Sequence, residues 1–175
     1  MPRKLRPADA GAVGAPSNSG GSRLLARAVA LLARREHSRA ELARKLLRRL
    51  EEGQDRADVD AVLDDLQRRK LLSDERFAAS LVRTRAPRYG AARLKLDLKA
   101  RGVPAAIAAE ALDQLGAGAG GSELDRARAV WSRRFGAAPQ SLAERARQSR
   151  FLEARGFSSE VIRQVLRGLA VDDAA

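Results

Sequence analysis

Apolar residues return every three or four positions along most of this chain, in short runs that Gly, Pro, Ser and Asp interrupt. Leu24, Ala28, Leu31 and Leu32 share one face of a first helix over about residues 22–36. His37-Ser38 stops it, and Ser38-x-x-Glu41 has capping-box form ahead of a second helix bearing Leu42, Leu46 and Leu50. Gly53 is expected to close that helix in a left-handed conformation, and Asp55 or Asp58 to cap a third built on Val59, Val62, Leu63 and Leu66.

The pattern then restarts. Ser73-Asp74-Glu75 reads as an N-cap with acidic residues in the first turn, where the helix dipole favours them. Phe77 and Leu81 give that helix its face, Pro87 to Gly90 break it, and the next carries Leu94 and Leu98 and ends at Gly102. Pro104 suits the first position of the helix that follows. A third set opens at Ser122, with Leu124, Ala127, Trp131 and Phe135 on one stripe. Gly136 to Pro139 make a turn, and Leu142, Ala146 and Leu152 line a helix ending at Gly156. Ser158-Ser159-Glu160 caps a last helix with Val161, Ile162, Val165, Leu166 and Leu169 inward. Phe157 fits the apolar contact that follows such a glycine cap.

An internal repeat makes the modular reading firmer. Leu98-Lys99-Ala100-Arg101-Gly102-Val103 with Ile107 and Leu112 matches Leu152-Glu153-Ala154-Arg155-Gly156-Phe157 with Val161 and Leu166, offset for offset. The expected fold is all-α, a tandem array of three three-helix, helix-turn-helix-like repeats, extended and curved, with no strand. The boundaries expected are a disordered tail over 1–21, repeats over 22–72 and 73–115, a flexible linker over 116–121, a repeat over 122–170 and a tail over 171–175.

Charge directs attention to surfaces. Lys and Arg number 34 against 22 Asp and Glu, so 34 − 22 leaves +12, mostly as Arg. Such a balance points to a polyanion, nucleic acid first, with ribosomal and anionic-membrane surfaces sharing the signature. Alternatively, Arg is simply the favoured cation of a chain rich in Ala, Leu and Arg. The middle helix of each repeat holds much of the charge: Arg39, Arg44, Lys45, Arg48 and Arg49 in the first, Arg93, Lys95, Lys99 and Arg101 in the second, and Arg145, Arg147, Arg150 and Arg155 in the third. Stacked repeats would lay these along one groove or edge fit for a nucleic-acid backbone or a filament. Solvated helix faces with intrahelical acidic partners are the competing account.

Chemistry is sparse. The chain has no Cys and one His, which excludes disulfides, thiolate zinc sites and iron–sulfur clusters. No metal, cofactor or catalytic residue is expected. His37 reads as an inter-helix turn residue, and Asp64-Asp65 are helix neighbours that do not converge. Gly116 to Gly121 lack the lysine of a phosphate-binding loop. Six aromatics are too few for a base-stacking platform, Trp131 and Phe135 belong to a core, and only Tyr89 is expected to be exposed. No apolar run approaches the roughly 20 residues of a membrane span, and Met1 to Gly21 lack signal-peptide form, so a cytoplasmic protein is expected.

Several stretches carry a family resemblance. Glu36-His37-Ser38-x-x-Glu41-Leu42-x-x-Lys45-Leu46 is similar to the first signature of the RecX family of bacterial regulatory proteins. So are Leu72-Ser73-Asp74-Glu75-Arg76-Phe77-Ala78, Gly90-x-x-Arg93-Leu94 ahead of Leu98-x-x-Arg101-Gly102-Val103, and Phe151-Leu152-x-x-Arg155-Gly156-Phe157. The resemblance spans roughly residues 25–169 in the family's order. It implies tandem three-helix repeats and a non-enzymatic modulator of the RecA recombinase in recombination, DNA repair and the SOS response. Such proteins bind within or along the RecA–DNA filament and inhibit its extension, ATP hydrolysis and strand exchange; some members bind DNA directly. The expected partners are the RecA filament and single- or double-stranded DNA, with no membrane, and the expected state is a monomer. A helix-turn-helix-like regulator acting directly on duplex DNA is the alternative, and a scaffold for an acidic protein a third.

Overall fold

A computed structural model describes residues 18–117 and 121–172, with side chains described over 21–116 and 121–167. Among the described residues there are nine helices and no strand: α1 Asn18–Leu32, α2 Arg39–Leu47, α3 Arg56–Arg68, α4 Asp74–Arg85, α5 Ala91–Ala100, α6 Ala105–Ala117, α7 Glu123–Ser132, α8 Leu142–Glu153 and α9 Ser159–Asp172. The helix starts follow the capping logic of the sequence. Ser38, Ser73, Ser122 and Ser141 each accept the backbone N–H three residues on. Asp55 and Asp58 complete a reciprocal box at α3, as do Ser122 and Asp125 at α7.

Both Arg-Gly pairs of the repeat end a helix identically. Gly102 (φ +76°) sits where the Val103 N–H reaches the Leu98 carbonyl at 3.1 Å, and Gly156 (φ +80°) where Phe157 reaches Leu152 at 3.3 Å. Val103 and Phe157 then turn into their cores.

Several boundaries differ from the sequence expectation. α1 begins at Asn18, inside the expected 1–21 tail, because a helix's first turn needs no apolar position of its own; residues 1–17 lie outside those described. α6 runs through Gly116 to Ala117, so the expected 116–121 linker loses its first two residues to an alanine-rich helix that tolerates a late glycine; 118–120 are outside the described residues. α9 takes in Val171 and Asp172 of the expected C-terminal tail, and 173–175 are not described. Pro104 precedes α6 rather than opening it, its carbonyl accepting the Ala108 N–H at 3.0 Å. α2 stops at Leu47, well before Gly53, whose φ of +79° serves the turn closed by Gln54 N–H on the Glu51 carbonyl. Leu142 is 86% exposed instead of facing a core, since it opens α8 a full turn and a half before the first buried position, Gln148.

Each consecutive triplet of helices closes its own core. Leu24, Leu42, Leu46, Leu63 and Leu66 meet in the first, Phe77, Leu94 and Leu98 in the second, and Trp131, Leu152, Phe157 and Val165 in the third. The third contains a polar pair: the Trp131 indole N–H donates to Gln148 Oε1 at 2.7 Å. Gln148 occupies the core position held by Leu42 and Leu94 in the other middle helices, and the indole satisfies it there. The main helix packing falls within triplets, α4 against α6 and α7 against α9 above all.

The triplets join through one motif used twice. The C-terminus of α5 docks on the N-terminus of α2, where the Ser38 hydroxyl donates to the Arg101 carbonyl at 2.6 Å. The C-terminus of α8 docks on the N-terminus of α5, where the Gly90 and Ala92 N–H groups donate to Arg155 and Gly156 carbonyls at 2.9 and 3.2 Å. An acidic residue from the following triplet seals each joint. Asp74 Oδ1 accepts the Arg39 N–H at 2.8 Å, and Glu123 Oε1 accepts the Ala91 N–H at 2.8 Å. Each carboxylate thus caps the middle helix of the preceding triplet, so Asp74, expected only to favour its own helix dipole, is buried in a joint. The middle helices therefore run head to tail in the order α8, α5, α2.

The joints are tight. A Cβ on Gly102 would lie 2.4 Å from the Ala40 Cβ, and one on Gly156 would lie 2.4 Å from the Arg93 nitrogen. At Gly90 it would lie 2.3 Å from the Gly156 oxygen, although the Gly90 φ of −78° suits any residue. Buried Leu side chains contribute about 1.5–3 kcal/mol each to a triplet, whereas each joint hydrogen bond contributes only about 0.5–1.5 kcal/mol. Gly90→Ala is therefore expected to leave helical content unchanged while opening the second joint. Small-angle scattering should show a larger radius of gyration, and hydrogen exchange should show lost protection at Ala92; an unchanged radius and unchanged exchange would refute the motif's role.

Candidate polyanion-binding surface

The twelve sequence-predicted cations lie along three middle helices placed end to end, in unequal states. Four are engaged within the chain. Arg39 pairs with Asp64 at 2.8 Å and donates to Gln67, both on α3. Lys45 Nζ donates to His37 Nε2 at 2.7 Å. Arg93 lies 3.7 Å from Asp97, and Arg101 spans the first joint to Glu41 at 3.5 Å while donating to the Asp97 carbonyl at 2.9 Å. Arg155, also singled out by the repeat, stacks on Phe151 with its guanidinium 3.7 Å from the ring centroid. Arg39 and Arg101 thus link helices, whereas Arg93 pairs within α5, Arg155 stacks back on the helix it follows, and Lys45 holds the turn before its own.

Arg44, Arg48, Arg49, Lys95, Lys99, Arg145, Arg147 and Arg150 are exposed, and among the described residues none has a carboxylate within ion-pair distance. Their register separates them into strips. Counting from the buried residue of each turn (Leu42 and Leu46, Leu94 and Leu98, Gln148), Arg44, Arg48 and Arg150 stand two places on, but Lys95 and Lys99 stand one place on. One place is roughly 100° of helix rotation, so repetition of the fold does not repeat the charges on a single line.

One concentration of these cations lies between α1 and α2. Arg27, Arg34, Lys45, Arg48 and Arg49 surround a cleft of about 460 Å³ whose remaining lining is Ala30 and Leu31. Arg27 bridges it by donating to the Arg49 carbonyl at 2.8 Å. Arg27 and Arg34 lie outside the middle helices, but their i, i+7 spacing around Ala30 and Leu31 places them on one face of α1. Cations gathered without a counter-charge repel one another, and the triplet core holds them together at that cost; an anion in the cleft relieves it.

His37 supports this wall. It is 1% exposed, with Nδ1 3.0 Å from the Arg35 carbonyl, so Nδ1 carries the proton and Nε2 accepts from Lys45. Burial pushes the imidazole below its ordinary value of 6.5, and nearby Arg35 and Lys45 add to the effect. Tyr89, expected to be exposed, is half-buried against the second core with Arg85 4.8 Å above its ring. Among the described residues no cluster of His, Cys, Asp or Glu could hold a metal ion, and no helix is long and apolar enough to cross a membrane.

Comparison with known proteins agrees with this architecture. A family model described as RecX, second three-helix domain, matches residues 73–112, and one described as RecX, third three-helix domain, matches residues 122–166. The regulatory protein RecX of Leptothrix cholodnii is 53% identical over 144 residues, covering 82% of this chain and 87% of that protein. The regulatory protein RecX of Ralstonia nicotianae is 48% identical over 145 residues, covering 83% and 87%. The crystal structure of RecX from Lactobacillus salivarius superposes with a TM-score of 0.72 at 20% identity, over 87% of this chain and 98% of that one, a likeness of fold.

The His37 environment sets a pH dependence. The unfolded imidazole takes up a proton as pH falls through 6.5, while the folded one resists it. Stability is therefore full above that value and declines below it, until the folded imidazole also protonates. Thermal melts at falling pH should show the loss, and His37→Gln should flatten it; an equal pH dependence in the variant would assign the effect elsewhere.

Proposed function

Because this chain belongs to the RecX family of regulatory proteins, we propose that it is a non-enzymatic regulator that binds the RecA–DNA filament and inhibits RecA recombinase and ATPase activity. The observation that carries this reading is the cleft of five cations between α1 and α2, at one end of the middle-helix column. A phosphodiester backbone supplies the missing counter-charge to Arg34, Arg48 and Arg49, whose planar guanidinium groups suit phosphate oxygens. Arg44 beside the cleft, and Lys95, Lys99, Arg145, Arg147 and Arg150 on the other two triplets, extend the contact. Arg39 and Arg101 serve it indirectly, by linking the helices that present the rest, Arg93 through its pair within α5, and Lys45 both lines the cleft and holds His37. The protein acts as a cytoplasmic monomer, since tandem repeats supply the several contacts for which single-unit DNA binders dimerise.

The test is RecA ATPase on single-stranded DNA with this protein titrated in. Inhibition well below one molecule per RecA would indicate action on filament growth; inhibition only near saturation would indicate coating of the groove or competition for DNA. Absence of inhibition at every ratio would sink the reading and favour a regulator of duplex DNA, recognisable by a discrete footprint. The variant Arg34→Glu, Arg48→Glu, Arg49→Glu spares Lys45 and its histidine. It should lose inhibition with its helical spectrum intact, and the logarithmic salt slope of single-strand binding should fall by about 0.7 for each phosphate contact removed.

A further inference from the structure

A second concavity lies away from the cationic cleft, between α4, α6 and α7, where the second and third triplets meet. It encloses about 510 Å³ over a floor of Ala79, Val82, Ala86, Ala111, Leu115 and Ala129. Its shape follows from helical spacing: Ala79 and Val82 on α4 with Ala86 at its C-cap, and Arg126 and Ala129 on α7 with Arg133 at its C-cap, each stand at i, i+3, i+7. Two helices therefore wall it for about 10 Å, and the small floor residues allow another backbone to come close.

Its charge is unbalanced. Arg83 and Arg133 stand exposed at the rim, while Arg126 is only 8% exposed. One terminal nitrogen of Arg126 donates to the Gly121 carbonyl at 2.8 Å, but its Nε is buried without a hydrogen-bond partner. Asp125 also lines the groove, one carboxylate against three arginines, and neither it nor Glu123 is ion-paired to Arg126. Glu123 caps α5 through the Ala91 N–H, and Asp125 accepts from the backbone and hydroxyl of Ser122. Arg126 lines the groove as a desolvated guanidinium without an ion pair, a charge that attracts a carboxylate, and an alanine floor attracts apolar side chains. A nucleic-acid backbone would lay phosphates against alanine, so this is a different surface from the cleft.

We propose that this groove docks an acidic amphipathic helix of a partner protein, with its apolar face on the alanine floor and one carboxylate on Arg126. The mode is that of a helix in a groove, with anchors at helical spacing and a charged contact fixing direction. It goes beyond filament inhibition, needs no nucleic acid, and gives the second and third triplets a role that charge alone does not.

The test uses the full-length protein and two fluorescein-labelled helical peptides of equal negative charge. One carries leucines at i, i+3, i+4 and i+7 among Asp and Glu; the other has Ser at those positions. Fluorescence anisotropy should show the leucine peptide binding at least about tenfold more tightly than the serine peptide. Ala129→Phe fills an exposed part of the floor without touching a core and should abolish that preference; Arg126→Leu removes the charge and should weaken binding of the leucine peptide, with the helical spectrum as the check on folding in both. Arg48→Glu with Arg49→Glu should leave it intact. Equal binding of the two peptides, or a preference unchanged in Ala129→Phe, would overturn the proposal. Because RecA is absent from the assay, its outcome is separate from that of the ATPase titration.

Discussion

The docking of one middle helix's C-terminus onto the N-terminus of the middle helix before it organises this molecule. A helix end exposes carbonyls and a helix start exposes N–H groups, so the two are complementary in hydrogen bonding and in dipole. Contact needs the backbones to touch, which a Cβ prevents. Gly102, Gly156 and Gly90 remove that obstacle, and Ser38, Asp74 and Glu123 satisfy what the touching ends leave open. Two of these glycines also adopt the left-handed conformation that reverses the chain into the next core. One residue type at one place thus ends a helix, starts another and sets the angle between triplets.

Surface properties follow from this constraint. Because the main core packing is internal to each triplet, the outer faces of the middle helices need not be apolar, and they carry Arg and Lys. Where a joint needs rigidity, cations are consumed in it, as Arg101 is on Glu41 and Arg133 on the Pro87 carbonyl at 3.2 Å. Elsewhere they remain open to solvent, as between α1 and α2. The groove between α4, α6 and α7 is likewise a product of joining: two triplets meet at a narrow joint and leave a trough beside it.

Helix type and approximate extent were legible because a 3.6-residue period and Ser or Asp caps are local signals. Helix ends were less legible, and Gly53 shows why. A glycine marks a backbone need for positive φ, and a turn six residues past a helix creates that need as readily as a helix end does. Leu142 shows the limit of periodicity, since an apolar residue in a helix's first turn can point past the core it resembles. Among candidate surface residues, side-chain engagement was invisible: Arg39 and Arg44 look alike in sequence, yet one is held by Asp64 and Gln67 and the other is open. Arg27 and Arg34 escaped notice because the cleft is made by two helices, and charge counted along one helix cannot register it.

By itself, the sequence determined the all-helical fold, the repetition, the glycine-ended middle helices, the absence of thiol chemistry and the basic character, because each depends on residue type or on spacing within one helix turn. The tertiary structure alone decided that Asp74 and Glu123 cap helices of a preceding triplet, that Gly90 is needed for closeness and not for its dihedral angle, and which cations stay unpaired. It also decided that Arg126 is buried with Nε unsatisfied. Those properties arise from distances between residues far apart in the chain, which no local period encodes.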